Sequence, residues 1–250
     1  MTLTEFFETY PQVALAFSGG VDSAFLLYSA VQAGAKVKAY YVKSDFQPEF
    51  ELQDAQKLAR QLGAEMEILP VDVLCNAVVA ANPKDRCYYC KQTIFSRILK
   101  AAGDDGFRVI MDGTNASDDC ADRPGMRALQ EMQVLSPLRL CGLTKQEIRR
   151  LSGEAGLFTW NKPAYACLAT RIPTGDPITL PKLQRTEWAE GYLAGLGFRD
   201  FRVRTLGEAA KLQLRAEDLP LLMENRNEIV NTLKQRYGGV MLDMEARGEQ

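Results

Sequence analysis

Six cysteines and no histidine bound the chemistry open to this chain of 250 residues. Without histidine there is no Ser-His-Asp or Cys-His catalysis and no histidine-bearing metal site. Metal chemistry must rest on cysteine or carboxylate, and proton transfer on Asp, Glu, Lys, Tyr or Cys. Three cysteines stand in settings that invite such work. Cys87-Tyr88-Tyr89-Cys90 opens a predicted helix behind Asp85-Arg86, and Cys167 lies in Ala166-Cys167-Leu168-Ala169-Thr170-Arg171-Ile172-Pro173. A helix N-terminus favours thiolate over thiol, which suits nucleophilic attack or metal binding. A C-x-x-C alone is compatible with a redox pair, half a zinc site or two incidental thiols. If Cys167 joins them, three thiolates could hold a [4Fe–4S] cluster, which ordinarily takes four, leaving one iron open to sulfide. Zinc held by three thiolates and water is the alternative metal. Cys75 and Cys141 read as small core residues, and Cys120 follows Asn115 in a polar run with no assigned role.

The second chemical segment is Ser18-Gly19-Gly20-Val21-Asp22-Ser23, between a buried strand and a helix start. Its glycines let backbone N–H groups turn towards an anion, and the helix N-terminus behind them adds donors and a favourable dipole. Ser18 and Ser23 add hydroxyl donors. Asp22 would repel phosphate unless Mg²⁺ stood between them, which favours a nucleotide–metal site over a plain anion site. The lysine of a Walker A loop is missing. The plainer reading, a glycine-rich turn capped by serine, gives way to the functional one because the whole string ends the first strand.

Strands are predicted at 13–17, 37–42, 66–71 and 107–111, with a short fifth at 134–135, and helices lie between them. Thr144 and Glu147 form a capping box at the head of a helix over 144–155. This alternation predicts an α/β fold with a doubly wound parallel sheet. Its fourth strand runs into Asp112-Gly113-Thr114-Asn115, so both loops fall at strand carboxyl ends, where such sheets bind ligands. After the turn-rich 173–177 the order becomes αββαβ, with helices over 181–196 and 219–237. This suggests a first domain over 1–175 and a small α+β domain over 176–250. Arg202 and Arg204 alternate on one of its strands, so both face one side. They read either as a solvated face or as a bidentate phosphate clamp. Glu190, in the preceding helix, reads as a surface charge in preference to a metal contact.

The net charge of −2 and pI near 5.5 leave no basic footprint, so nucleic acid is not an expected partner. The first residues lack the basic segment and long apolar run expected of a signal peptide, and no apolar run reaches the ~18 residues of a membrane span. The chain is expected to be cytosolic, with reduced cysteines.

The Ser18–Ser23 loop resembles that of the PP-loop, or N-type, ATP pyrophosphatases (adenine nucleotide alpha hydrolase-like). The resemblance implies ATP, Mg²⁺ and release of pyrophosphate after adenylation of an oxygen, with Gly113, Thr114 and Asn115 beside the nucleotide. Arg86-Cys87-Tyr88-Tyr89-Cys90-Lys91, Lys162-Pro163-Ala164 with the segment from Ala166 to Pro173, and Leu242-Asp243-Met244-Glu245 are similar to the LarE family over nearly the whole chain. These are the sulfur transferases of nickel-pincer nucleotide cofactor synthesis. The resemblance implies adenylation of a carboxylate of pyridinium-3,5-biscarboxylic acid mononucleotide, then replacement of oxygen by sulfur. It implies that the small domain binds substrate or mediates oligomerisation. Arg202 and Arg204 would clamp the mononucleotide phosphate, and Arg171 would stand beside the acceptor carboxylate.

Two sulfur sources occur in that family: a sacrificed cysteine matching Cys167, or a [4Fe–4S] cluster on three cysteines. All three positions are cysteine here, which favours the cluster. An acidic residue is expected after the Arg-x-Arg, but this chain has Gln213. The resemblance further implies a homo-oligomer, with a hexamer as one form. The rival functions are a tRNA thiolase of the same class and an amide-forming ligase like NAD or GMP synthetase.

Overall fold

The computed structural model describes residues 1–118, 124–245 and 247. The chain forms two compact units: Met1–Val79 with Asp85–Lys162, and Ala80–Lys84 with the chain from Pro163 onward. Cys120 lies outside the described residues.

Four strands of the first unit, β1 (Gln12–Ala16), β2 (Lys36–Lys43), β3 (Glu65–Pro70) and β4 (Ile110–Met111), form a parallel sheet in the order β3-β2-β1-β4. Val13 pairs with Val37, and Leu15 with Met111. The helices are α1 (Leu3–Thr9), α2 (Val21–Gln32), α3 (Glu49–Leu62), α4 (Ala77–Ala80), α5 (Arg86–Asp104), α6 (Pro124–Glu131), α7 (Pro137–Leu140) and α8 (Lys145–Glu154).

Alternate residues of β1 and β2 feed two cores. Val13, Leu15, Ala39 and Tyr41 pack with Phe6, Leu26, Leu27, Leu58 and Ile148 on one face. Ala14, Tyr40 and Val42 pack with Ile98, Ala102 and Phe107 on the other. Helices therefore cover both faces, which is why these strands are apolar at successive positions. The fourth strand is shorter than the expected 107–111. The amide of Phe107 bonds Ala102 O at the end of α5, so pairing with β1 begins only near Val109. The expected fifth strand is a single parallel bridge between Met111 and Leu135.

The second unit holds α9 (Leu180–Gly195), β5 (Arg202–Leu206), β6 (Ala209–Gln213), α10 (Leu219–Glu224), α11 (Arg226–Leu233) and β7 (Gly239–Leu242). Its sheet runs β5-β6-β7, antiparallel then parallel. The single helix expected over 219–237 is two, broken at Asn225, whose side-chain amide donates back to Leu221 O at 2.9 Å.

The turn-rich stretch at 173–177 lies inside this unit rather than at its edge. Buried Asn82 donates to the carbonyls of Pro173 (2.8 Å) and Asp176 (3.1 Å), and Gly175 N donates to Asn82 O. These bonds tie the turn to the short 80–84 segment and move the division of the chain back to Lys162.

Candidate active site

β1 lies at the topological switch point of the first sheet, between β2 and β4. The carboxyl ends of β1 and β4 lead into the two candidate nucleotide loops, in the crevice where such sheets take ligands. The first loop turns at Gly19, whose φ is +71°; a Cβ there would also stand 3.0 Å from Ala55 Cβ. Gly20 caps α2, and Val21 at its first turn is buried in the core, so its side chain anchors the helix. The Ser18 and Ser23 hydroxyls lie 3.0 Å apart, and Ser23 donates to Gly20 O. The second loop approaches the first closely: a Cβ on Gly113 would stand 2.9 Å from Ser23 N. Buried Asp112 shapes this turn by accepting from Thr114 Oγ1 (2.6 Å) and Ser136 Oγ (2.7 Å). Asn115 Nδ2 donates to Asp22 Oδ1 at 3.4 Å. Ser18, Gly19, Gly20, Asp22 and Ser23 with Gly113, Thr114 and Asn115 thus form one polar floor over the ends of β1 and β4, with Val21 turned into the core beneath.

Asp22 has a partner that was not among the sequence candidates. Lys145, at the start of α8, places its Nζ 2.5 Å from Asp22 Oδ2. The capping box of Thr144 and Glu147 is present and sets where α8 begins. The signal in the sequence was a cation placed where a helix disfavours one.

Cys87 and Cys90 lie in the first turns of α5, three residues apart and so on one face. Cys87 is exposed and Cys90 half-buried. Arg86 Nη2 lies 3.7 Å from Cys87 Sγ. Burial holds the Lys91 ammonium below its usual pKa range, against the opposing pull of Asp112, Cys87, Asp118 and Cys90. Gly125 of α6 makes room here, since a Cβ would come within 3.2 Å of Lys91 Cδ. Cys75 is exposed rather than a core residue. Its thiol donates to Asp72 Oδ2 at 2.9 Å, which also raises its pKa.

Within the second unit, Cys167 is the N-cap of a 3-10 turn over Leu168–Arg171. Thr170 bonds the Cys167 carbonyl through N (3.0 Å) and Oγ1 (2.9 Å). Three arginines hold this loop. Arg171, 1% exposed, donates to Ala166 O at 2.9 Å; Arg202 donates to Ala164 O, and Arg204 to Thr170 O at 2.9 Å. Arg202 and Arg204 do alternate on β5, but their guanidiniums grip the cysteine loop. Glu190 corrects the surface reading, being 6% exposed. It accepts from Arg171 Nε (2.8 Å) and Nη2 (3.1 Å), Tyr165 OH (2.5 Å) and Val203 N (3.0 Å). A carboxylate is buried there because four donors replace its water.

Burial would lower Arg171, but Glu190 overcomes it and the net shift is upward. Burial, reinforced by Arg171 and Arg247, brings Arg202 down to about 10. Arg204 shifts down for the same reasons. Such crowding of guanidiniums favours an added anion. Gln213 accepts from Arg204 Nε at 3.0 Å, so it orients that arginine without charge. Among the described residues, no three cysteine or carboxylate side chains are gathered as a metal site. Nor is any helix long and apolar enough to cross a membrane.

The Ser18-Gly19-Gly20-Val21-Asp22-Ser23 turn, set at a helix N-terminus at the switch point of a parallel sheet and without a Walker lysine, places the chain in the class of PP-loop ATP-using enzymes. The family described as queuosine biosynthesis protein QueC matches residues 12–87, the span carrying that loop. Over 99% of this chain and 93% of the relative, it is 35% identical to an uncharacterised protein of Synechocystis sp.. It is 32% identical to the pyridinium-3,5-bisthiocarboxylic acid mononucleotide synthase of Lactiplantibacillus plantarum, over 97% of this chain and 89% of that protein. A tRNA-specific 2-thiouridylase MnmA of Thermotoga sp. is 27% identical over 60% of this chain and 54% of its own length. The chain belongs to the LarE family of ATP-using sulfurtransferases.

Proposed function

We propose that this chain is a cytosolic, homo-oligomeric enzyme that activates a carboxylate of pyridinium-3,5-biscarboxylic acid mononucleotide with ATP and converts it to a thiocarboxylate. The observation that carries the reading is the presence in one chain of an intact PP-loop and of Cys167 in a turn held by arginines. The full-length likeness to the Lactiplantibacillus plantarum synthase supports the substrate over the tRNA alternative, which matches only 60% of the chain.

In the first step a carboxylate oxygen of the acceptor attacks the α-phosphorus of ATP, and pyrophosphate leaves. The loop amides and the α2 N-terminus stabilise the departing charge, and Asp22 is the candidate ligand for Mg²⁺. A sulfur nucleophile then adds to the acyl carbon and AMP departs. The guanidinium cluster of Arg171, Arg202 and Arg204 supplies the positive field for the mononucleotide phosphate.

The donor set suits thiolate ligation. Cys87 and Cys90 share a helical face beside Arg86 and Lys91, whose charges offset thiolates. Cys87 and Cys90, with Cys167, are the residues that would hold a [4Fe–4S] cluster, and the chemistry it would supply is a sulfide for transfer.

The test is anaerobic purification and iron and sulfide analysis of the wild type, Cys87→Ala and Cys167→Ala, followed by turnover with ATP and acceptor. About four irons, lost in both variants, together with AMP and a thiocarboxylate as products, are expected. An iron-free protein after reconstitution removes the cluster. Cys167 lighter by one H₂S after reaction would then establish the sacrificial route. No thiocarboxylate by either route overturns the assignment.

A further inference from the structure

The nucleotide loop carries an acid where phosphate must bind and lacks the lysine that phosphate loops commonly contain. Both features meet in one contact. Lys145 Nζ lies 2.5 Å from Asp22 Oδ2, across 123 residues of sequence. The side chains are one-third and one-fifth exposed, so neither is sealed from solvent.

Lys145 is held at this place by its backbone rather than by the ion pair. Its amide donates to Ser117 Oγ at 2.9 Å, Ala116 N donates to Leu143 O at 2.8 Å, and the Thr144–Glu147 box fixes the first turn of α8. These bonds join the start of α8 to the loop that follows β4, and α8 packs along α2. The ammonium is thus delivered to the mouth of the PP-loop at the end of a flexible four-carbon stem. A helix start disfavours a cation, and a partly exposed ion pair adds little stability. The placement makes better sense as a binding device than as a structural bridge.

We propose that Lys145 is an exchangeable latch of the ATP site. In the nucleotide-free enzyme it neutralises Asp22 and so keeps a free divalent cation from occupying that carboxylate. When metal-bound ATP enters, the cation takes Asp22 and the ammonium swings to the terminal phosphates, supplying the charge missing from the loop. The same contact then holds pyrophosphate until release. Metal and polyphosphate would therefore bind together rather than separately. This deepens the ATP-binding part of the proposed function and rests on it.

Three measurements on the full chain test the latch, using Lys145→Met, Lys145→Arg and the double variant Lys145→Met with Asp22→Asn. Mn²⁺ binding without nucleotide, followed by electron paramagnetic resonance, should be weak in the wild type and in Lys145→Arg. It should tighten about tenfold in Lys145→Met and be lost again in the double variant. Pyrophosphate binding in the presence of Mg²⁺, by calorimetry, should weaken about tenfold in Lys145→Met and stay within about threefold in Lys145→Arg. AMP binding should be unchanged, which also reports that the variants are folded; Lys145→Gln replaces a methionine variant that fails this control. Unchanged Mn²⁺ affinity or unchanged pyrophosphate affinity in the charge-removing variant overturns the proposal. Neither measurement uses the acceptor or the cysteines, so a failure of sulfur transfer is distinguishable from a failure of the latch.

Discussion

Cys167 is positioned by a chain of contacts that begins at a residue far from any thiol chemistry. Glu190 accepts four hydrogen bonds, two of them from Arg171, and Arg171 in turn grips Ala166 O and Thr170 Oγ1. Glu190→Ala leaves a fully buried guanidinium without its counter-charge, which typically costs about 3–5 kcal/mol. The urea midpoint should fall accordingly. Glu190→Gln keeps the shape and some acceptor capacity, so it should lose less stability. Both variants should lower acceptor-dependent pyrophosphate release and sulfur transfer together while leaving AMP binding unchanged, because the nucleotide loop belongs to the other unit.

Among the elements, the β1–α2 junction tolerates least change. Gly19 combines a left-handed φ with contact against Ala55 of α3. Gly19→Ala should therefore destabilise the protein by about 1–3 kcal/mol, read by thermal melting, and should weaken ATP binding. At the far side of the sheet, Asp105 at the end of α5 accepts from Lys38 Nζ (2.5 Å) on β2 and Tyr40 OH (2.6 Å). The Lys38 bond, then the Tyr40 bond, holds its carboxyl below the usual range. A depressed carboxyl stabilises the fold above its unfolded pKa and loses that contribution as pH falls through the folded value. The melting temperature of Asp105→Asn should thus lie below wild type by a constant margin above about pH 5. The margin should narrow below about pH 4.

At the scale of the molecule, β7 is, among the described residues, an edge strand carrying exposed Met241 and Leu242, with Met244 exposed just beyond it. An open sheet edge is a template for pairing with another chain, and exposed apolar patches mark interaction sites. If the proposed homo-oligomer uses this edge, Met241→Glu should shift the mass measured by light scattering towards the monomer while leaving the melting profile of the chain cooperative. What the sequence by itself determined was local. The strand–glycine–helix loop, the paired cysteines on α5 and the capping box of α8 all follow from short-range periodicity, turn chemistry and capping, and each stands at its expected place. Element ends were less legible where a neighbour intervened, as at Phe107, which bonds back to α5, and at Asn225, which breaks a helix by bonding Leu221. Tertiary structure alone decided that Glu190 is buried, that Arg202 and Arg204 clasp the cysteine loop, and that Lys145 reaches Asp22. Those facts depend on which distant backbones pack together, and charge placed at helical spacing looks the same in sequence whether it faces water or a buried partner.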